Sequence, residues 1–229
     1  MAYFSRIALR QDSGGAGALA AVLREVATDH GGAHRLVWSL FSRDGNETRD
    51  FLFRQEPGTP GRFLTVSQRP PVDRHDLWVI DTKDYAPAIR DGSRLRFILR
   101  ANPTISRRDG QREQRHDVVM DAKTQARQAD KTIATDTMIN GAATEWLIKK
   151  GDRHGFTVSP GNVAVDGYTR TVFRHVNRHG KHGDIVLSSV DFDGSLGVTD
   201  PDRFERALVN GIGRARAFGF GLLLVRPAR

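Results

Sequence analysis

The sequence predicts an α+β chain built as two tandem ferredoxin-like units of βαββαβ order on antiparallel sheets, and three observations carry that expectation. Apolar spacing alternates between period two and period 3.6 in the order strand, helix, strand, strand, and a similar order returns in the second half. A segment bearing proline and glycine, Tyr85 to Gly92, separates the halves. The 229 residues, 38% of them hydrophobic, are enough for a real core. An N-terminal domain over residues 1–90 and a C-terminal domain over residues 91–229 are therefore expected. No period of about 20 to 50 residues recurs, so the fold is duplicated without a sequence repeat.

Tyr3 to Leu9 alternates apolar and polar residues as a strand does, and Gln11-Asp12-Ser13-Gly14-Gly15 ends it. Leu19, Val22, Leu23 and Val26 have helical spacing, which Gly31-Gly32 breaks before Leu36, Val37, Leu40 and Phe41 resume it. Phe51 to Arg54 and Arg62 to Ser67 read as strands, and Leu77 to Ile80 closes a unit whose second helix is weak. Arg94 to Ala101 opens the second unit, with Leu95, Phe97 and Leu99 on one face and Arg94, Arg96 and Arg100 on the other. Arg107, Arg108, Arg112 and Arg115 fall in a polar segment expected to be a mobile loop. Asp121 to Lys150 is mainly helical, with Trp146-Leu147-Ile148 as its core signal. Tyr168 to Val176 and Asp184 to Phe192 form a hairpin with a basic tip, Asn177 to Gly183. Asp200-Pro201 then starts a helix that buries Phe204, Ala207 and Leu208 and ends at Gly211, and a last strand follows.

A net charge of +8 and a pI near 10.4 point to a polyanionic partner, nucleic acid ahead of an anionic membrane surface. Arginine supplies 29 of the 35 basic residues, which suits bidentate phosphate contacts and equally a genome of high GC content. The absence of cysteine removes disulfides, thiolate nucleophiles and cysteine-based zinc sites. Met1 to Arg10 is too short and charged for a signal sequence, and no apolar run nears the roughly 18 residues that span a bilayer. The expected compartment is the cytoplasm, with no membrane partner.

Gly211 to Leu222 holds four glycines and two arginines in twelve residues. Such a loop brings backbone amides close to an anion, while a helix end accounts for Gly211 alone. It fits neither the P-loop pattern nor a dinucleotide fingerprint, which would open a βαβ unit. Gly213, Arg214, Arg216, Gly219 and Gly221 are thus candidate RNA contacts. So are the Arg94, Arg96 and Arg100 face and the hairpin residues Arg170, Arg174, Arg178 and Lys181; all of these also read as ordinary solvated surface. Among eight histidines, His75, His116, His154 and His175 lack a partner pattern, and none shows metal-ligand spacing. His34, in Ala33-His34-Arg35-Leu36-Val37-Trp38-Ser39-Leu40-Phe41, falls at the rim of the apolar helix face, with Arg35 on the polar side. A rim histidine can be simply packed, or half buried and still reach a ligand.

Several segments together resemble the CasE family of the RAMP superfamily, the CRISPR repeat-RNA endoribonucleases of the type I-E Cascade complex. They are Tyr3 to Arg6, Ala33 to Phe41, Arg49 to Arg54, Leu95 to Thr104, Arg115 to Lys123, Val198 to Pro201 and Gly211 to Leu224, in the right order over nearly the whole chain. The resemblance implies two ferredoxin-like, RRM-like domains and metal-independent cleavage of precursor CRISPR RNA beside each repeat hairpin. The product would be retained within the complex, and neither metal nor small-molecule cofactor is implied. The family's catalytic histidine maps onto His34. Members often carry tyrosine three residues earlier, where this chain has Gly31, and the adjacent His30 is a candidate second proton-transfer group. A non-catalytic RNA-binding subunit of the same architecture is the rival expectation.

Overall fold

The structure, a computed structural model, describes residues 1–10, 30–42, 48–74, 76–109, 112–176 and 182–228. The expected helix at Leu19 to Val26 and the hairpin-tip residues Arg178 and Lys181 lie outside the described residues, as do the side chains of His30 and Arg174.

The first unit contains β1 (Tyr3–Leu9), α1 (His30–Trp38), β2 (Phe51–Gln55), β3 (Arg62–Ser67) and β4 (Trp78–Asp84). Its antiparallel sheet has the order β2-β3-β1-β4, so the first and third strands are central. The second unit contains β5 (Arg94–Ala101), β6 (Thr104–Asp109), β7 (Arg112–Asp117), α2 (Val118–Gln128), α3 (Thr135–His154), β8 (Phe156–Val176), β9 (His182–Val198), α4 (Pro201–Asn210) and β10 (Leu223–Pro227). Its main sheet, β10-β5-β9-β8, repeats the same spatial order if β5, β8, β9 and β10 are counted one to four. Both units therefore have the ferredoxin-like arrangement. No helix among the described residues is long and apolar enough to cross a membrane.

Alternation in β5 decides its faces as expected, since Leu95, Phe97, Leu99 and Ala101 are buried and the intervening residues exposed. Trp146 and Leu147 from α3 and Phe204 and Leu208 from α4 complete that core. In the first unit Val37, Leu40 and Phe41 cover Ile7, Phe51, Phe53 and Phe63.

Several local expectations are corrected. The arginine-rich segment is not a loop: β6 and β7 pair antiparallel from Thr104↔Asp117 to Asp109↔Arg112, and Arg107 is held by Asp121 of α2 at 2.7 Å. Polar strands give no apolar alternation to read, and cross-strand pairing holds this one. Gly31 and Gly32 lie in the first turn of α1, and the segment they were expected to separate from it lies outside the described residues. The long hairpin begins well before Tyr168, because β8 runs through Pro160-Gly161 with a register shift between Val158 and Val163. That bulge lets a proline sit in a strand. Between β3 and β4 the described residues form no helix.

The two units are joined by a third apolar cluster, in which Leu52 and Val66 of the first sheet pack with Leu222, flanked by Val209 and Leu224. Beside it Arg54 reaches Asp191 of β9 at 3.2 Å, and Arg100 meets the same carboxylate at 2.7 Å.

Candidate functional site

Helix α4 is capped as its sequence predicts, with the Asp200 carboxylate accepting from the Arg203 amide at 3.0 Å. The chain then turns back through the glycine loop, whose glycines all have positive φ, between 78° and 87°. A single 3₁₀ turn, Arg216–Phe218, stands at its centre. The Ile212 amide donates to the Gly221 carbonyl at 2.9 Å, which closes the loop, and the Gly221 amide donates to the Arg100 carbonyl of β5 at 2.7 Å, which ties it to the sheet. The Phe218 and Gly219 amides are likewise bound within the loop, to Ala215 and Arg216. Four of its amides are therefore not offered to an anion, and the glycines answer to packing: a Cβ at Gly219 would lie 3.1 Å from the Phe53 ring. The loop's value as a site lies in where it puts Arg216 and Phe218.

Phe218 projects to the N-terminal unit, where its ring centroid lies 6.4 Å from that of His34. His34 also neighbours Trp38 at 5.6 Å and Phe53 at 6.4 Å, so aromatic rings from α1, β2 and the glycine loop surround the imidazole. Phe218 in turn meets Phe173 of β8 at 4.5 Å. The histidine is half-buried, as its rim position predicts.

The electrostatics of the site are unusual. Burial lowers the His34 pKa, and the charges of Arg49 and Arg35 lower it further. Arg49 is itself disfavoured by burial and by Arg216, and its Nη1 is buried with no hydrogen-bond partner. Arg216 donates to the Asn210 carbonyl. Neither Arg49 nor Arg216 has a carboxylate partner among the described residues. Converging guanidiniums without a counter-ion are costly in a folded chain and are matched by an anion from outside, phosphate above all. His34, neutral near pH 7, stands beside that position with a lone pair to accept a proton.

The structure thus brings together His34, Arg35, Arg216 and Gly219 of the predicted residues. It keeps others apart from them. Arg96 and Arg100 are not an open row of cations, since Asp193 holds the first at 2.6 Å and Asp191 the second; Arg94 is exposed on the same face. Arg170 is exposed on β8, opposite Ser188. Arg214 lies across from Asn102 in an isolated bridge, and Gly213 packs near Trp146. His30 begins α1 one turn before His34. Sequence reasoning missed Arg49, Phe218 and His154. Arg49 precedes β2 with no periodic pattern of its own, and His154 ends α3 after Lys149, Lys150 and Arg153, where basic residues ordinarily complement the helix dipole.

A model of the family described as CRISPR associated protein matches residues 2–227. The chain belongs to this family. Among curated members it is 30% identical over 211 residues to CRISPR-associated endoribonuclease Cse3 of Thermus thermophilus, covering 85% of this chain and 88% of that one. It is 28% identical over 204 residues to the CRISPR system Cascade subunit CasE of Escherichia coli, with 85% and 90% covered. Among solved structures of the family, CRISPR endoribonuclease Cse3 bound to a 19 nt RNA superposes with a TM-score of 0.69 at 25% identity, over 99% of this chain and all of that one. The family's fold and the tandem ferredoxin-like order read from the strand pairings agree.

Proposed function

We propose that this chain is a metal-independent, sequence-specific endoribonuclease that binds the CRISPR repeat hairpin and cuts precursor CRISPR RNA into mature guides. The single observation that carries the reading is the half-buried His34, ringed by Trp38, Phe53 and Phe218, beside the Arg49 guanidinium whose Nη1 has no partner, at the meeting of α1, β2 and the glycine loop. Cse3, the relative named above, is an endoribonuclease, and its RNA-bound structure shares this fold.

In this mechanism His34 Nε2 or Nδ1 accepts the proton of the ribose 2′-OH at the cut site, whose oxygen attacks the adjacent phosphorus. The P–O5′ bond breaks, leaving a cyclic phosphate on one product and a 5′-OH on the other. Arg49, Arg216 and Arg35 carry the positive charge that the transition state's oxygens require. Phe218 and Trp38 hold the imidazole, which favours an in-line approach. His30, one turn away on α1, is the candidate donor to the departing oxygen. With the domain boundary drawn, as we propose, between residues 90 and 91, His34 belongs to one domain and the glycine loop to the other, and the site forms between them. Retention of the product within a Cascade complex, in the cytoplasm of a prokaryotic cell, belongs to the same reading, and the likeness to CasE, a Cascade subunit, supports it.

Labelled repeat RNA incubated in EDTA is expected to be cleaved, and a substrate with a single 2′-deoxy at the cut site is not. Binding without cleavage on the cognate repeat would favour the scaffold reading. Arg49→Ala is expected to reduce the single-turnover rate by about 10²-fold, the effect of removing one charge-stabilising donor. Lysine at that position restores only part, because it lacks the planar fork.

A further inference from the structure

Beside the glycine loop, β6, α2 and α3 border a cavity of about 500 Å³. One part of its wall is apolar, with Ile105, Val118 and Trp146, and the other is basic. Its two carboxylates are already matched, Asp121 by Arg107 at 2.7 Å and Glu145 by Lys149 at 2.5 Å. Lys150, Arg153 and Arg214 have no carboxylate partner among the described residues. The Lys150 ammonium lies 5.5 Å over the Trp146 ring, and the buried indole Nε1 of Trp146 has no hydrogen-bond partner. Burial, then Arg153 and Arg214, lowers the Lys150 pKa, so the cluster favours an incoming anion.

The cavity is electrically continuous with the His34 site. Burial is the largest cause lowering the pKa of His154, Arg49 and His34; beyond it Lys150, Arg153 and Arg216 act on His154, Arg216 on Arg49, and Arg49 on His34. A line of mutually repelling cations is balanced by a chain of phosphates better than by one small anion.

We propose that this cavity takes one unpaired nucleotide of the RNA near the cut, its phosphate on Lys150, Arg153 and Arg214 and its base against the apolar wall of Ile105, Ala142 and the edge of Trp146, whose ring face is already stacked on Phe192. The inference rests on the endoribonuclease reading above and adds a subsite to it. The volume suits a nucleotide, and only an unstacked base can leave the strand to enter such a space.

The test is an abasic scan through the nucleotides flanking the paired stem of the RNA hairpin, in the full chain and in a Lys150→Ala, Arg153→Ala double variant. In the parent, one flanking abasic position is expected to weaken binding about tenfold, the effect of burying roughly 55 Å² of base surface against an apolar wall. In the variant that same change costs less than twofold, and the salt slope of binding falls by about one, for the single phosphate contact that is lost. A scan with no sensitive position, or a penalty undiminished in the variant, overturns the proposal; adenosine monophosphate bound by the parent with a silent scan marks a small-molecule site instead. Arg153→Glu, an exposed change, serves if the double variant does not fold. Cleavage of the unmodified RNA, followed in the same samples, separates the two readings: a parent that binds and does not cut fails as an endoribonuclease without altering the scan.

Discussion

His34→Ala is expected to lower the single-turnover cleavage rate by about 10²- to 10⁴-fold, the range that a positioned acid/base group supplies, while hairpin affinity stays within a few-fold of the parent. The pH profile gives a sharper check. Burial, Arg49 and Arg35 all lower the His34 pKa, so kcat/KM rises with pH through a value below the ordinary 6.5 and is level at neutrality. Arg49→Ala removes one of those causes, and the acidic limb should move up in pH by part of the difference, since burial remains the largest. Stability follows the same linkage. The unfolded chain binds more protons than the folded one between the lowered pKa and 6.5, so stability falls as pH drops through that window and is unaffected above it. His154, also lowered chiefly by burial, adds to the fall with the same sign. A limb unmoved by Arg49→Ala, or a histidine-free variant that still cleaves, would defeat the assignment.

What the sequence disclosed followed the physics of period and capping. The alternation of Leu95, Phe97 and Leu99, and the Asp200-Pro201 start of α4, depend on neighbours in the chain, and both stand as predicted. The rim position of His34 was legible for the same reason. Arg49 was not, because its significance comes from α1 and the glycine loop, far away in sequence. The β6–β7 hairpin was hidden by its polar composition, since a strand held by cross-strand pairs and the Arg107–Asp121 bridge shows no apolar stripe. The glycine loop was legible as special, for a reason that needed the fold: the amides of Ile212, Phe218 and Gly219 are bonded within the loop and that of Gly221 to Arg100, and its glycines make room for Phe53, Trp146 and the loop's own backbone.

That last point yields the second large effect. Gly221 sits at φ +87°, and a Cβ there would lie 2.6 Å from the Ile212 carbonyl oxygen and 3.1 Å from Arg216 Cγ. The first clash is with backbone, which cannot swing aside as a side chain does. Gly221→Val therefore combines the conformational cost of positive φ, about 1–2 kcal/mol, with overpacking of about 1–3 kcal/mol. A loss of about 2–5 kcal/mol is expected by urea denaturation. Gly92, at φ +73° with nothing within 4 Å of its would-be Cβ, is the control, and Gly92→Ala should cost only about 1 kcal/mol. Cleavage should suffer beyond stability, because Gly221 holds the Ile212 amide and the Arg100 carbonyl while crowding Arg216. Displacing that segment moves Arg216 from Arg49 and Phe218 from His34. A Gly221→Val protein still folded at low temperature should thus bind the hairpin and cut it at least about tenfold slower, a misplacement of the kind that costs rate and spares binding. If instead it melts like the Gly92 control and cuts like the parent, the loop is a passive connection and the active site does not depend on its closure.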